Sequence, residues 1–175
     1  MLKSYYDKYR LVGKLPPELN GKIEGKLYPD LVKMNKWRNW RTGLEYFDKK
    51  RNAKLVGALD DLLLIGNKYA PLDYKTRGGV VKENSHTYYQ LQLDLYSLLL
   101  KENGLPPADF GYLVFYSPNK VESGGLTHFT VEPVKVETNA EAGRTVLEKA
   151  IDLLKRGTPP HHSSCEYGLW QNVDF

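Results

Sequence analysis

Two acidic segments in the middle of the chain carry the residue types best suited to chemistry. The pair Asp60-Asp61 lies inside an apolar run, and the triplet Asp73-Tyr74-Lys75 follows it in the next one. Unpaired charges in core strands are costly, so each of them needs a metal, a partner or a functional role. Alternate residues of a strand share a face, so Asp73 and Lys75 are expected to point the same way.

A hairpin between the two segments would bring these groups together. One of the two aspartates of the first segment would then project onto the face that carries Asp73. The result is two carboxylates and one ammonium at one end of a sheet, with the choice between Asp60 and Asp61 left open by the pattern. Hard oxygen ligands of this kind suit Mg²⁺ or Mn²⁺, which keep several waters and bind phosphate readily.

The elements around these residues are read from periodicity and turn signals. A short helix is expected from Asp30, as its N-cap, to Gly43. The runs LEYFD, AKLVGALDDLLLIG and YAPLDYKT are separated by the polar turns KKRN and GNK. This spacing predicts a three-stranded meander.

The second half of the chain predicts helix, strand, strand and helix. The first helix lies before Gly104 and has leucines at helical spacing, namely Leu91, Leu95, Leu98 and Leu99. FGYLVFYSP and LTHFTVEPVKVE follow as strands. The last helix begins at an Asn cap and has one apolar face, formed by Val146, Leu147, Ala150, Ile151 and Leu154. The order predicts a mixed α/β fold.

Composition favours one globular domain. The chain has 175 residues, of which 41% are hydrophobic and 26% charged, without an apolar run long enough to cross a membrane. We expect a single domain over residues 1–175, with a basic loop or helix segment at 1–43 and a tail at 157–175. The single cysteine and the absence of an apolar leader favour a cytoplasmic location.

The excess positive charge is confined to the first third of the chain. Residues 1–50 hold 12 Lys and Arg against 6 Asp and Glu, interleaved with Trp37 and Trp40. Such a mixture suits phosphate neutralisation and base stacking, and a solvated basic surface is the alternative. The residues that would line a nucleic-acid groove are Lys33, Lys36, Arg38 and Arg41.

Three short motifs in this order resemble a known family. They are Gly57-Ala-Leu-Asp60 (GxxD), Asp73-Tyr-Lys75 and Gln92-Leu-Asp-Leu-Tyr96 (QxxxY). Together they resemble the PD-(D/E)XK nuclease superfamily, and in particular its RecB-type branch, which includes a CRISPR-associated exonuclease. The resemblance implies a restriction-endonuclease-like core, with a central mixed sheet, an antiparallel hairpin meander and flanking helices.

The resemblance also implies roles for the acidic segments. Asp60, as the acid of the GxxD element, and Asp73 would hold Mg²⁺ or Mn²⁺ together with the backbone carbonyl of Tyr74. Lys75 would orient or help to deprotonate the attacking water and stabilise the charge that develops on the phosphorane.

Gln92 and Tyr96, one helical turn apart, would contact the scissile strand. The implied activity is a metal-dependent deoxyribonuclease, an exonuclease or an end- or flap-processing enzyme. Its partner would be DNA, single-stranded or at ends, and it would act as a homo-oligomer or in a larger repair, phage or CRISPR-type complex. The alternative is a nucleic-acid-binding module of the same fold with weak or lost cleavage.

The chain departs from the RecB-type pattern near its start. Many members of that branch carry an upstream histidine as a metal ligand, whereas the first histidine here is His86. Glu45 and Glu24 are the acidic candidates for that position, and no motif places either of them.

The second departure is in the tail. Cys165-Glu-Tyr-Gly168 resembles a CxxC pair whose second cysteine is glycine, so no iron–sulfur cluster is expected. His161 and His162 stand close to Cys165, but a tetrahedral zinc site built from these three would lack a fourth ligand.

Overall fold

The computed structural model of the chain describes residues 2–79, 81, 84–157, 162, 164 and 165. Most of the predicted tail therefore lies outside the described residues. Helices in these ranges are α1 (Leu2–Leu11), α2 (Leu31–Trp37), α3 (Gln90–Glu102) and α4 (Ala140–Lys155). Strands are β1 (Lys26–Leu27), β2 (Leu44–Asp48), β3 (Ala53–Gly57), β4 (Asp61–Ile65), β5 (Lys68–Thr76), β6 (Phe110–Val121) and β7 (Thr127–Glu137).

The central sheet has the strand order β1-β4-β5-β6-β7. Its neighbours are antiparallel except β5 and β6, which run parallel and are joined by a crossover through α3. Strands β2 and β3 form a separate antiparallel hairpin. The predicted mixed α/β fold, with a central mixed sheet flanked by helices, is confirmed.

The predicted three-stranded meander differs from the structure in one respect. The run AKLVGALDDLLLIG forms two strands rather than one, because β3 pairs with β2 whereas β4 pairs with β1 and β5. Helix α3 passes so close to the chain at Gly57 that a Cβ there would lie 2.4 Å from Cδ1 of Leu99. The connecting residues 58–60 leave one sheet here and enter the other.

The β4–β5 hairpin sets which aspartate faces which side of the sheet. Its turn contains Gly66, whose φ of +59° is in the left-handed region that glycine adopts easily. In the resulting register Asp61 lies opposite Leu72, one residue before Asp73. Because side chains alternate along a strand, Asp61 and Asp73 project to opposite faces.

The two faces of the sheet are covered by different helices. Tyr6 of α1 packs in the cluster that contains Leu72 and Tyr74, while Leu93 of α3 packs with Leu113 and Phe115 on the other face. Helix α1 comes from the segment that the sequence indicated only as a basic loop or helix. No helix in the described ranges is long and apolar enough to cross a membrane.

The predicted helix boundaries are right at two caps and wrong at one end. Asp30 caps α2 by accepting a hydrogen bond from the backbone of Lys33 (2.9 Å), but α2 ends at Trp37 rather than at Gly43. Asn139 caps α4 as expected, its side chain accepting from two backbone N–H groups at 2.9 and 3.1 Å.

The predicted apolar faces of α3 and α4 are only partly buried. Leu98 and Leu99 are buried on α3, but Leu91 is 44% exposed, since α3 packs mainly through other positions. On α4, Ile151 is buried whereas Leu154 is 83% exposed. Periodicity in the sequence identified the two helices, but it did not show how much of each apolar face is buried against other described residues.

Candidate active site

Asp73 and Lys75 lie together on the α3-covered face of β5. The side chains of Asp73 and Lys75 are only 2% and 18% exposed. Nζ of Lys75 is 2.5 Å from Oδ2 of Asp73. The ring of Tyr89 lies 4.4 Å from the same ammonium, which adds a cation–π contact. The predicted shared face of these two residues is therefore present.

Gln92 and Tyr96 of α3 reach this pair through hydrogen bonds. Nε2 of Gln92 donates to Oδ1 of Asp73 (3.1 Å), and its Oε1 accepts from Nζ of Lys75 (3.1 Å). Nε2 also donates to the hydroxyl of Tyr96 (2.8 Å), which in turn donates to the carbonyl of Ala58 (2.9 Å). The amide of Gln92 thus holds the carboxylate and the ammonium in one orientation.

Asp60 lies at the end of the connection between β3 and β4 and is beside β5. Its Oδ2 accepts a hydrogen bond from the backbone N–H of Tyr74 (3.3 Å). The N–H and C=O of one extended residue point to the same side of the strand. The carbonyl of Tyr74 therefore lies on the edge of β5 that faces Asp60.

Lys3 of α1 is a site residue that the sequence reasoning missed. Its Nζ is 3.0 Å from Oδ1 of Asp60, and its side chain is 42% exposed. A signal was present, because Lys3, Asp7 and Arg10 follow helical spacing along one face of α1. Only the packing of α1 against the sheet brings that face to Asp60.

Electrostatics around Asp73 reflect its burial. Burial raises the pKa of Asp73, and the neighbouring charge of Asp60 raises it further, while Lys75 and Lys3 act in the opposite direction. The net direction is upward, so the ionised form of Asp73 is held at a cost to folding. Burial also raises the pKa of Tyr96 to about 12, so its hydroxyl stays protonated at neutral pH and can donate.

Asp61 is in a different environment from Asp60. Its side chain is fully buried, and Arg10 and Arg38 bind it from the α1 side. The hydroxyl of Tyr74 donates to the same carboxylate. Arg10, Arg38 and Tyr74 therefore surround the Asp61 carboxylate with side-chain donors on the face opposite to Asp73.

The residues present fit a divalent cation. Oδ2 of Asp73 is buried and has no hydrogen-bond partner of acceptable geometry, although the Lys75 ammonium is close. Asp60 supplies a second carboxylate beside Tyr74, the neighbour of Asp73 in the chain, and Mg²⁺ is commonly held by one or two carboxylates with water and substrate phosphate. Asp60, Asp73 and the carbonyl of Tyr74 are the groups that would hold it.

A third acidic ligand does not join them. Among the described residues, no three His, Cys, Asp or Glu side chains are grouped so as to hold a metal. Glu24 pairs with Lys135 at 2.6 Å, and Glu45 pairs with Lys54 at 3.1 Å. Neither acidic candidate for the position of the upstream histidine is therefore at this site.

The prediction that Arg38 lines a nucleic-acid groove is wrong. Its side chain is only 6% exposed, and it pairs with Asp7 and Asp61.

The predictions about the tail fall mostly on residues outside the described ranges. His162 contacts Ser164 (2.7 Å), while His161 and Gly168 lie outside the described residues. The expectation that the tail holds no iron–sulfur cluster, and that its zinc site would lack a fourth ligand, stays a prediction.

Comparison with known proteins identifies the class. The family model described as the PD-(D/E)XK nuclease superfamily matches residues 22–173. The chain therefore belongs to the PD-(D/E)XK nuclease superfamily. A search of curated proteins found no match. Membership places the chain among nucleases, a class of hydrolases that act on nucleic acid and generally use divalent metal ions.

Proposed function

We propose that this chain is a Mg²⁺- or Mn²⁺-dependent deoxyribonuclease of the RecB-type branch, with its active site at Asp60, Asp73 and Lys75. The observation that carries the proposal is that Asp60, bound to the backbone N–H of Tyr74, lies beside the Asp73–Lys75 pair of β5. Its substrate would be DNA, single-stranded or at ends, cut as an exonuclease or an end- or flap-processing enzyme. We also propose that residues 1–175 form one domain, and that the protein is cytoplasmic and works as a homo-oligomer or in a repair, phage or CRISPR-type complex.

In this proposal the acidic residues and Lys75 divide the work of phosphodiester hydrolysis. Asp60, Asp73 and the carbonyl of Tyr74 would hold the cation, which when bound would supply Lewis acidity to the scissile phosphate and lower the pKa of a water molecule. Lys75 stands beside Asp73, where its ammonium can orient the attacking water and stabilise the charge on the phosphorane. The attacking water gives up a proton to solvent and forms the new P–O bond, while the P–O bond to the leaving oxygen breaks and that oxygen takes up a proton from solvent.

Gln92 and Tyr96 have two proposed tasks. Gln92 fixes the relative orientation of Asp73 and Lys75 through its amide, and both α3 side chains also contact the strand next to the scissile phosphate. The contacts of Gln92 with Asp73 (3.1 Å) and Lys75 (3.1 Å) support the first task. A positioned acid–base or electrostatic group is worth roughly 10²–10⁴-fold in rate, so its orientation matters.

The test is cleavage of labelled single-stranded, duplex and flapped DNA, and of matched RNA, with Mg²⁺ and with Mn²⁺. The parent protein is compared with Asp60→Asn, which keeps the volume and removes the charge. Glu45→Gln is the matched control, since Glu45 is an exposed acid paired with Lys54. We expect the parent and Glu45→Gln to cut DNA and Asp60→Asn to be inactive. A parent that cuts no substrate with either metal ion contradicts the proposal.

A second candidate function is a nucleic-acid-binding module with weak or lost cleavage. It is favoured by one observation: within the described part of the chain only two acidic side chains, Asp60 and Asp73, stand at the candidate site. Under this alternative, DNA binding persists in the parent while the same cleavage assay gives no product with Mn²⁺.

A further inference from the structure

A buried ion cluster lies directly beneath the candidate active site. Nη2 of Arg10 donates to both carboxylate oxygens of Asp61, at 2.5 and 2.6 Å. Nη2 of Arg38 is 2.8 Å from the same carboxylate. Nη1 of Arg38 binds both oxygens of Asp7 at 2.9 and 2.8 Å. These four residues form what we call the α1 ion cluster.

Stability alone is a poor reason for such a cluster. The side chains of Arg10 and Asp61 are fully buried and that of Arg38 is 6% exposed. Removing charges from water is expensive, and apolar residues of similar volume often stabilise a core as well as a buried ion pair does. The cluster is therefore expected to specify a geometry.

The geometry that it specifies includes the backbone of Asp60. Nε of Arg38 donates to the carbonyl of Asp60 (2.9 Å), and the carbonyl of Trp37 accepts from the N–H of Leu59 (3.0 Å). Residues 58–60 lie between β3 and β4, outside both strands. The C-terminal end of α2 thus holds this connection at two successive residues.

The same cluster reaches the other acidic segment through Tyr74. The hydroxyl of Tyr74 donates to Asp61, and its backbone N–H donates to Oδ2 of Asp60 (3.3 Å). Tyr74 stands between Asp73 and Lys75 in the chain. One buried cluster therefore contacts both segments that supply the carboxylates.

We propose that Arg38 is a positioning residue that sets Asp60 against Asp73 for cation binding, through its bond to the Asp60 carbonyl and its pairs in the α1 ion cluster. The inference rests on the proposed function, since it concerns the same site. It assigns Arg38 and Asp61 to the support of the cation site rather than to contact with cation or substrate.

A positioning role and a purely electrostatic role of Arg38 predict opposite changes in cation affinity when Arg38 is neutralised. Arg38 carries a positive charge close to Asp60, so its neutralisation would strengthen cation binding if charge alone mattered. If Arg38 holds Asp60 in place, the same change weakens binding. Loss of a group that orients a metal ligand typically costs about 10–100-fold in metal affinity or activity.

The experiment measures Mn²⁺ affinity by calorimetry, together with unfolding, for the parent, Arg38→Gln and Arg38→Lys. Arg51→Gln is the matched control, because Arg51 is also a partly buried arginine, 20% exposed, bound to acids that include Asp48 and Glu148 away from the site. We expect at least about a 10-fold loss of Mn²⁺ affinity in Arg38→Gln and parent affinity in Arg51→Gln.

Arg38→Lys keeps the charge but cannot make all of the planar guanidinium's bonds, so it should also bind Mn²⁺ more weakly. It decides the question if Arg38→Gln does not fold. Parent-like or tighter Mn²⁺ binding in a folded Arg38 variant overturns the inference, and cleavage by the parent then leaves the proposed function standing. If the parent binds Mn²⁺ but cuts nothing, the proposed function is contradicted, while the Mn²⁺ affinities of the Arg38 variants still test the inference. A parent that binds no Mn²⁺ refutes both.

Discussion

Replacement of Asp73 by Asn should separate cation binding from folding. The change keeps the volume of a side chain that is 2% exposed and removes the charge that faces Lys75 at 2.5 Å. One unit of cation charge about 4 Å from the Asp73 carboxylate interacts with it by about 4 kcal/mol at an effective dielectric constant of about 20, and Mn²⁺ carries two such units. With a factor of ten for each ~1.4 kcal/mol, we expect Mn²⁺ affinity to fall by at least roughly 10³-fold and cleavage to be lost with it.

The free energy of unfolding should not fall with the Mn²⁺ affinity in Asp73→Asn. Because burial raises the pKa of Asp73, its unfolded form ionises at lower pH than its folded form, and the ionised carboxylate destabilises the native state. Below the unfolded pKa of about 3.9 this cost is absent, and it grows as pH rises to the folded pKa. Asp73→Asn should therefore match the parent in acid and be equally or more stable at neutral pH.

The assay is calorimetry with Mn²⁺ and denaturant unfolding at several pH values on the same preparations. Asp48→Asn is the matched control, a buried strand aspartate paired with Arg51 at 3.3 Å. Hydrogen bonds from Arg51 lower the pKa of Asp48, so its stabilisation is present above the unfolded pKa and is lost as pH falls. Asp48→Asn should lose stability at neutral pH and keep Mn²⁺ affinity. Parent Mn²⁺ affinity in Asp73→Asn would refute the reasoning.

Three further predictions test the surroundings of this centre. Lys75→Ala should keep Mn²⁺ and DNA affinity while turnover falls roughly 10²–10⁴-fold in single-turnover cleavage, and unchanged turnover would contradict its role. Lys3→Met removes an ammonium 3.0 Å from Asp60 and should tighten Mn²⁺ binding by at most about fivefold. Lys8→Met, on the exposed side of α1, is the control, and weaker Mn²⁺ binding in Lys3→Met would contradict the prediction. Lys33, Lys36 and Arg41 are exposed cations of the basic segment. Neutralising all three should lower the magnitude of the slope of log K for DNA binding against log salt concentration by about 0.7–0.9 per lost phosphate contact. An unchanged slope would show that they belong to a solvated surface and do not contact DNA.

Local pattern in the sequence determined much of the fold class. Strand alternation put Asp73 and Lys75 on one face, and helical spacing put Gln92 and Tyr96 one turn apart, because both periods follow from backbone geometry alone. The capping residues of α2 and α4 were also readable, since a cap bonds within a few residues of itself. The superfamily followed from motifs whose order and spacing survive in a single sequence.

Only the tertiary structure decided which neighbours each charge acquires. Asp60 and Asp61 are adjacent in the chain, yet the β4–β5 register and the bend at residues 58–60 send Asp61 to the α1 side. Arg38 looked like a groove cation in the sequence but is buried against Asp7, which lies 31 residues away. Lys3 likewise reaches Asp60 because α1 packs on the sheet. Such pairings depend on long-range packing, and no local period encodes which distant partner offsets the cost of burying a charge.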